Sequence, residues 1–124
     1  MSAPVPTILF VEDEPLLRLV IGDELRDSGF EVLEAGDAGT ALDLVRERPG
    51  IDLLFTDIRM PGTMNGWDLA EQARALRPSL PVIYATGYSD ETIRTVPRSC
   101  FFKKPYRAQA IVDAARDLGL RLPG

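Results

Sequence analysis

Short apolar runs alternate with stretches of helical period along nearly the whole chain, and that alternation leaves few architectures open. Runs of this length suit strands, and a strand reaches a parallel neighbour only through a crossover, usually a helix. The pattern therefore predicts β/α alternation around one parallel sheet. Strands are expected at Thr7–Val11, Glu31–Ala35, Leu53–Thr56, Pro81–Ala85 and Cys100–Lys103, the third apolar enough to be central. Pro15 opens a helix that runs to about Ser28, with Gly29 as its stop. Asp37 is a good N-cap for a second helix, whose apolar residues Ala38, Ala41, Leu42 and Val45 share one face. After a Pro- and Gly-rich loop from Met60 to Asn65, a third runs from about Gly66 to Arg77, with Leu69, Ala70, Ala73 and Leu76 inward. The last runs from Arg107 to Leu118, with Gly119 just beyond it. Five strands and about five helices fill 124 residues, the size of one domain, so 1–124 is read as a single unit with a core over about 7–119.

In open parallel sheets, ligands bind outside the carboxyl ends of the strands. That edge collects Glu12, Asp13 and Glu14 after strand one, Asp57 after strand three, Thr86 after strand four and Lys104 after strand five. Each has a plainer reading alone. Acids before a helix favour its N-terminus, Asp57 can be a turn or cap residue, and Lys104-Pro105 an ordinary strand-to-helix turn. Their joint placement on one edge is what carries weight. Carboxylates from two strand ends suit a hard divalent cation, Mg²⁺ in particular, and an aspartate can act as a nucleophile that takes a phosphoryl group. Lys104 would supply positive charge to the transferring oxygens, and Thr86 a hydroxyl.

The chain has no histidine, which excludes His-based catalysis, His metal ligands and autophosphorylation on His. With one cysteine, Cys100, no internal disulfide can form, the absence of His argues against a zinc or copper site, and Cys100 reads as a small core residue. A net charge of -5 and a pI near 4.7 argue against nucleic-acid binding. No apolar stretch approaches a membrane span, and Met1 to Pro6 lacks the make-up of a signal peptide, so no membrane contact and a cytoplasmic location are expected.

Four segments together resemble a response-regulator receiver domain over nearly the whole chain. They are Ile8-Leu9-Phe10-Val11-Glu12-Asp13-Glu14-Pro15, Phe55-Thr56-Asp57-Ile58-Arg59-Met60-Pro61, Val82-Ile83-Tyr84-Ala85-Thr86-Gly87 and Phe101-Phe102-Lys103-Lys104-Pro105-Tyr106. The resemblance implies a flavodoxin-like, doubly wound five-stranded parallel sheet in the order 2-1-3-4-5. It implies a phospho-accepting signalling module in which Asp57 takes a phosphoryl group from a partner's phosphohistidine and the chain switches conformation. Asp13 and Asp57 would ligate Mg²⁺ directly, Glu12 through water, and the carbonyl of Arg59 would be a further ligand. Thr86 and Lys104 would contact the phosphoryl group, with Thr86 and Phe101 as switch residues. The implied partners are a histidine kinase or a histidine phosphotransfer protein and a downstream protein, with the chain a monomer or weak dimer. The loop after Asp57 is one residue longer than the commonest form, as in receivers of hybrid sensor kinases. Tyr84-Ala85-Thr86-Gly87-Tyr88 is similar to a subgroup of stand-alone receivers with a Phe-Ala-Thr-Gly type motif. Met1 and a tail closing at Pro123-Gly124 suggest a free-standing regulator; the alternative is a piece of a hybrid histidine kinase.

Two other classes use similar parts. A phosphatase of the haloacid-dehalogenase kind would want a second Asp two residues after Asp57, where this chain has Arg59. A flavodoxin-like cofactor binder would want hydroxyls and glycines where it has Glu12-Asp13-Glu14. The expectation is that the chain is no enzyme beyond its own phosphorylation and dephosphorylation. Within Gly87–Val96, β-branched Thr92, Ile93, Thr95 and Val96 and the closing Pro97 limit any helix to about two turns. Ile93 and Val96 would be its inward anchors, and its order is expected to change on phosphorylation of Asp57.

Overall fold

The computed structural model describes residues 5–87 and 93–121. Five strands, β1 (Thr7–Val11), β2 (Glu31–Ala35), β3 (Ile51–Asp57), β4 (Val82–Thr86) and β5 (Ser99–Lys103), form one parallel sheet in the order β2-β1-β3-β4-β5. Four helices are present among the described residues: α1 (Pro15–Asp27), α2 (Ala38–Glu47), α3 (Gly66–Leu76) and α4 (Ala108–Asp117). This is the expected doubly wound sheet. The strand order reverses between β1 and β3, which opens a crevice at their carboxyl ends.

The sheet is buried on both faces because each carries its own apolar layer. Leu9, Val11, Leu54, Val82 and Tyr84 face the α2 and α3 side; Ile8, Phe10, Leu53, Phe55 and Ile83 face the α1 and α4 side. That is why the central strands read as continuous apolar runs instead of alternating ones.

The helix ends follow from local chemistry. Pro15 occupies the first turn of α1, and Gly29 beyond its end takes φ 108°. The Asp37 carboxylate accepts from the Thr40 amide at 2.7 Å to start α2. Asn65 and Asp68 form a reciprocal capping box at the start of α3.

Some expectations need correction. β3 begins at Ile51, two residues before the expected Leu53, because the Asp52 carboxylate takes the Thr7 amide at 2.8 Å and lets a polar residue sit in the strand. β4 starts at Val82, since Pro81 has no N–H to give the ladder. Leu76 is exposed, not inward. The chain turns at Arg77, whose guanidinium binds the carbonyls of Arg48, Pro49 and Ile51, and Leu80 closes the core in its place. Of the helix expected within Gly87–Val96, residues 88–92 lie outside the described residues. Residues 93–96 have no regular secondary structure, and Ile93 is exposed while Val96 packs on the core.

Candidate functional site

The parallel register delivers the expected residues to one edge. Glu12 follows β1 directly, its amide bonded to the Ala35 carbonyl at 3.0 Å. Asp57 and Thr86 are the last residues of β3 and β4, one place later than the strand ends read from sequence, and both are buried. Lys104 follows β5, its amide bonded to the Thr86 carbonyl at 2.8 Å. The Lys104 Nζ bridges two acids, at 2.8 Å from Glu12 Oε1 and 3.2 Å from Asp57 Oδ2. Asp57 Oδ1 accepts from the Ile58 amide at 2.9 Å, and Glu12 Oε2 from the Glu14 amide at 3.1 Å. Arg18 on α1 donates to the Glu12 carbonyl at 2.6 Å and so ties α1 to the exit of β1.

Electrostatics make this a strained cluster. Burial raises the Asp57 carboxyl above the ordinary aspartate value; Lys104 opposes the rise and the nearby Asp13 charge adds to it. Burial likewise raises Glu12. Burial alone would lower Lys104, but its hydrogen bond to Glu12 and the Asp57 and Glu12 charges leave it raised. Two buried carboxylates with the exposed Asp13 beside them need more counter-charge than one lysine supplies.

One carboxylate oxygen each from Glu12, Asp13 and Asp57 lies within 4.8 Å of the others, close enough for one small cation. Asp13 is exposed while the other two are buried, so an ion here would face water on one side. An all-oxygen, half-hydrated donor set fits Mg²⁺. Both oxygens of Glu12 and both of Asp57 already accept hydrogen bonds, shared with Lys104 and with the Glu14 and Ile58 amides. Arg59 is an exposed residue two places beyond Asp57.

Lys103 is exposed on the opposite pleat from Lys104. Cys100 is half-buried against the α1 and α4 layer, and burial pushes its thiol up, away from a reactive thiolate. Phe101 is half-buried and stacks on Trp67, ring centroids 6.0 Å apart, while Trp67 meets Tyr84 at 4.7 Å.

Gly66 and Trp67 also belong to the surroundings of the site, which no sequence motif signals. The Gly66 amide donates to the Ile58 carbonyl at 2.7 Å, and a Cβ at this position would lie 2.2 Å from the Asp57 carbonyl oxygen. The glycine lets the start of α3 rest on the Asp57 backbone. Asn65-Gly66 ahead of an apolar period signals a helix start, but nothing local says where that start lands.

The family model for the response regulator receiver domain matches residues 8–116. Sensory transduction protein RegX3 of Mycolicibacterium smegmatis is 36% identical over 114 residues, covering 89% of this chain and 49% of RegX3. Among solved structures, a response regulator receiver protein from Sinorhizobium medicae superposes with a TM-score of 0.85 at 30% identity, covering 92% of this chain and 94% of the other. Response regulator protein TrrA from Thermotoga maritima, in complex with Mg²⁺ and BeF, gives 0.83 at 26% identity, covering 92% and 99%. The chain spans about half the length, or less, of the curated relatives it matches.

Proposed function

The chain belongs to the response regulator receiver domain family, and from that membership we propose that Asp57 is its phospho-acceptor, Mg²⁺ its cofactor, and a histidine kinase or histidine phosphotransfer protein its donor. The observation that carries the reading is the Lys104 bridge between Glu12 and Asp57, beside Asp13 and at the strand-order reversal. Asp13 and Asp57, with the Arg59 carbonyl, would hold Mg²⁺ directly and Glu12 through water. Bound there, the ion supplies the positive charge that the crowded acids and the incoming phosphoryl oxygens require.

An Asp57 carboxylate oxygen attacks the phosphorus of the donor's phosphohistidine. The new bond is O–P, the bond broken is P–N, and the imidazole leaves with its electron pair. Burial makes the Asp57 carboxylate more basic than an exposed one, which helps it as a nucleophile. Lys104 keeps it ionised before transfer and turns to a phosphoryl oxygen afterwards. Thr86 donates its hydroxyl to another phosphoryl oxygen, and Thr86 and Phe101 carry the switch. Leu16, Leu19 and Val20 are exposed on α1, next to the site, and offer the donor an apolar face.

The chain acts on its own carboxylate alone, since Arg59 stands where a phosphatase would carry a second acid. It works in the cytoplasm as one receiver unit with its core over about 7–119, a monomer or weak dimer that avoids nucleic acid. No helix among the described residues is long and apolar enough to cross a membrane. Phosphotransfer profiling tests the donor. Radiolabelled histidine kinases and phosphotransfer proteins from the host should pass label to the wild type with Mg²⁺ and not to Asp57→Asn. Label arriving equally in both would overturn the reading.

A further inference from the structure

We propose that the Tyr84 hydroxyl is a latch, holding residues 93–98 against the Trp67–Tyr84–Phe101 ring cluster, and that a phosphoryl group on Asp57 opens it; the opening step rests on the role of Asp57 proposed above. Tyr84 is fully buried, and its phenol oxygen accepts the Val96 amide at 3.1 Å. Residues 93–97 lie outside the sheet, and the Arg98 carbonyl takes the Val82 amide at 3.3 Å, so the backbone groups before it are satisfied one at a time. Ser99 Oγ donates to the Val96 carbonyl at 2.6 Å, and the Arg74 guanidinium to the carbonyls of Pro97 and Arg98. On the outside, Arg94 pairs with Asp68 at 3.1 Å and Glu71 at 2.8 Å, but these are exposed contacts of little worth.

The latch lies within two residues of the site along two routes. Tyr84 is on the same face of β4 as Thr86 and two places before it. Trp67 follows Gly66, which rests on the Asp57 carbonyl and donates to Ile58. A shift of Thr86 toward a phosphoryl oxygen, or of the Asp57–Ile58 peptide, therefore reaches the rings directly. Close-packed rings move together and do not deform. The bond is 3.1 Å long, and a ring displacement of about half an ångström takes it out of hydrogen-bond range. Trp67 Nε1 is buried and makes no hydrogen bond among the described residues. Phe is the residue of the similar motif at the Tyr84 position, so Tyr84→Phe keeps the ring volume and removes only the hydroxyl.

Amide exchange at Val96, measured by NMR on the full chain, tests this. In Tyr84→Phe the Val96 amide should exchange about tenfold faster, the worth of one hydrogen bond, with the β1 and β3 amides unchanged. Arg94→Ala should not reproduce the effect. Mg²⁺ and beryllofluoride should produce the same acceleration in the wild type and none further in Tyr84→Phe, with fluorine signals of bound beryllofluoride confirming loading. Equal Val96 exchange in the wild type and Tyr84→Phe would overturn the latch. Unchanged exchange in a loaded wild type would overturn its coupling to Asp57. A wild type that never loads would strike the Asp57 assignment and the trigger with it, while the Tyr84→Phe comparison still decides the latch.

Discussion

Gly66→Ala places a methyl group against the backbone of Asp57, the proposed phospho-acceptor. The new Cβ would sit 2.2 Å from the Asp57 carbonyl oxygen and 2.8 Å from the Ile58 Cα. Cβ contacts below 3.0 Å are essentially never seen, so the two backbones must part by at least 0.8 Å, 3.0 less 2.2. Neither neighbour is the free end of a flexible side chain. Overpacking of this kind costs about 1–3 kcal/mol, and stretching the 2.7 Å bond from Gly66 N to Ile58 O forfeits about 1 kcal/mol more. At about 2.1 cal/mol/K per residue, 124 residues give an unfolding entropy of about 260 cal/mol/K. One kcal/mol then lowers Tm by about 4 °C, and the variant should melt about 8–16 °C below the wild type. Moving Asp57 by most of an ångström should also slow phosphorylation by acetyl phosphate, by up to about a hundredfold. Scanning calorimetry and a single-turnover phosphorylation assay read the two effects. Gly50→Ala is the control, since a Cβ there meets nothing within 4 Å. A Gly66→Ala protein that melts within about 2 °C of the wild type and phosphorylates normally would refute the contact between α3 and the site.

Three further outcomes follow from the cluster. Asp57 and Glu12 are raised in the folded, metal-free protein, so the folded state holds protons that the unfolded chain has lost. Stability of the metal-free protein should accordingly fall as pH rises from the unfolded carboxylate values, 3.8 and 4.5, through the folded ones; urea midpoints that rise across this window would contradict the electrostatics. Mg²⁺ at a hundred times its Kd should add about 2.7 kcal/mol, or roughly 10 °C, at neutral pH. Asp13→Ala should abolish that gain, and a wild-type melting curve indifferent to Mg²⁺ would count against the pocket. Lys104→Ala should remain folded but lose a charge-assisted contact worth about 1.5–3 kcal/mol to the phosphoryl state. Lys103→Ala should be nearly silent, and equal phosphorylation defects in the two would reverse the strand register.

The strand-end residues were legible because a parallel β/α chain has only one edge for them. Glu12, Asp13, Asp57, Thr86 and Lys104 lie at or just after the ends of four apolar runs, and the runs themselves are unambiguous. The helix starts at Pro15 and Asp37 were legible from single-residue chemistry. What the sequence hides are contacts between segments far apart in the chain. Asp52 looks like a loop residue until the Thr7 amide reaches it. Leu76 fits the inward period of α3, yet Leu80 fills the core there. Gly66 reads as a helix start, and its approach to Asp57 depends on how the loop between them returns. The hold of Tyr84 on Val96 pairs a strand side chain with an irregular backbone, which no periodicity encodes.

The role of Asp57 is tested most directly by locating the phosphoryl group. The wild type would be incubated with acetyl phosphate and Mg²⁺, the acyl phosphate reduced with borohydride, and the modified residue located by peptide mass spectrometry. Modification is expected at Asp57 alone, lost with EDTA and lost in Asp57→Asn. Modification at Asp13 or Glu12 in the wild type, or at the normal rate without a divalent cation, would contradict it.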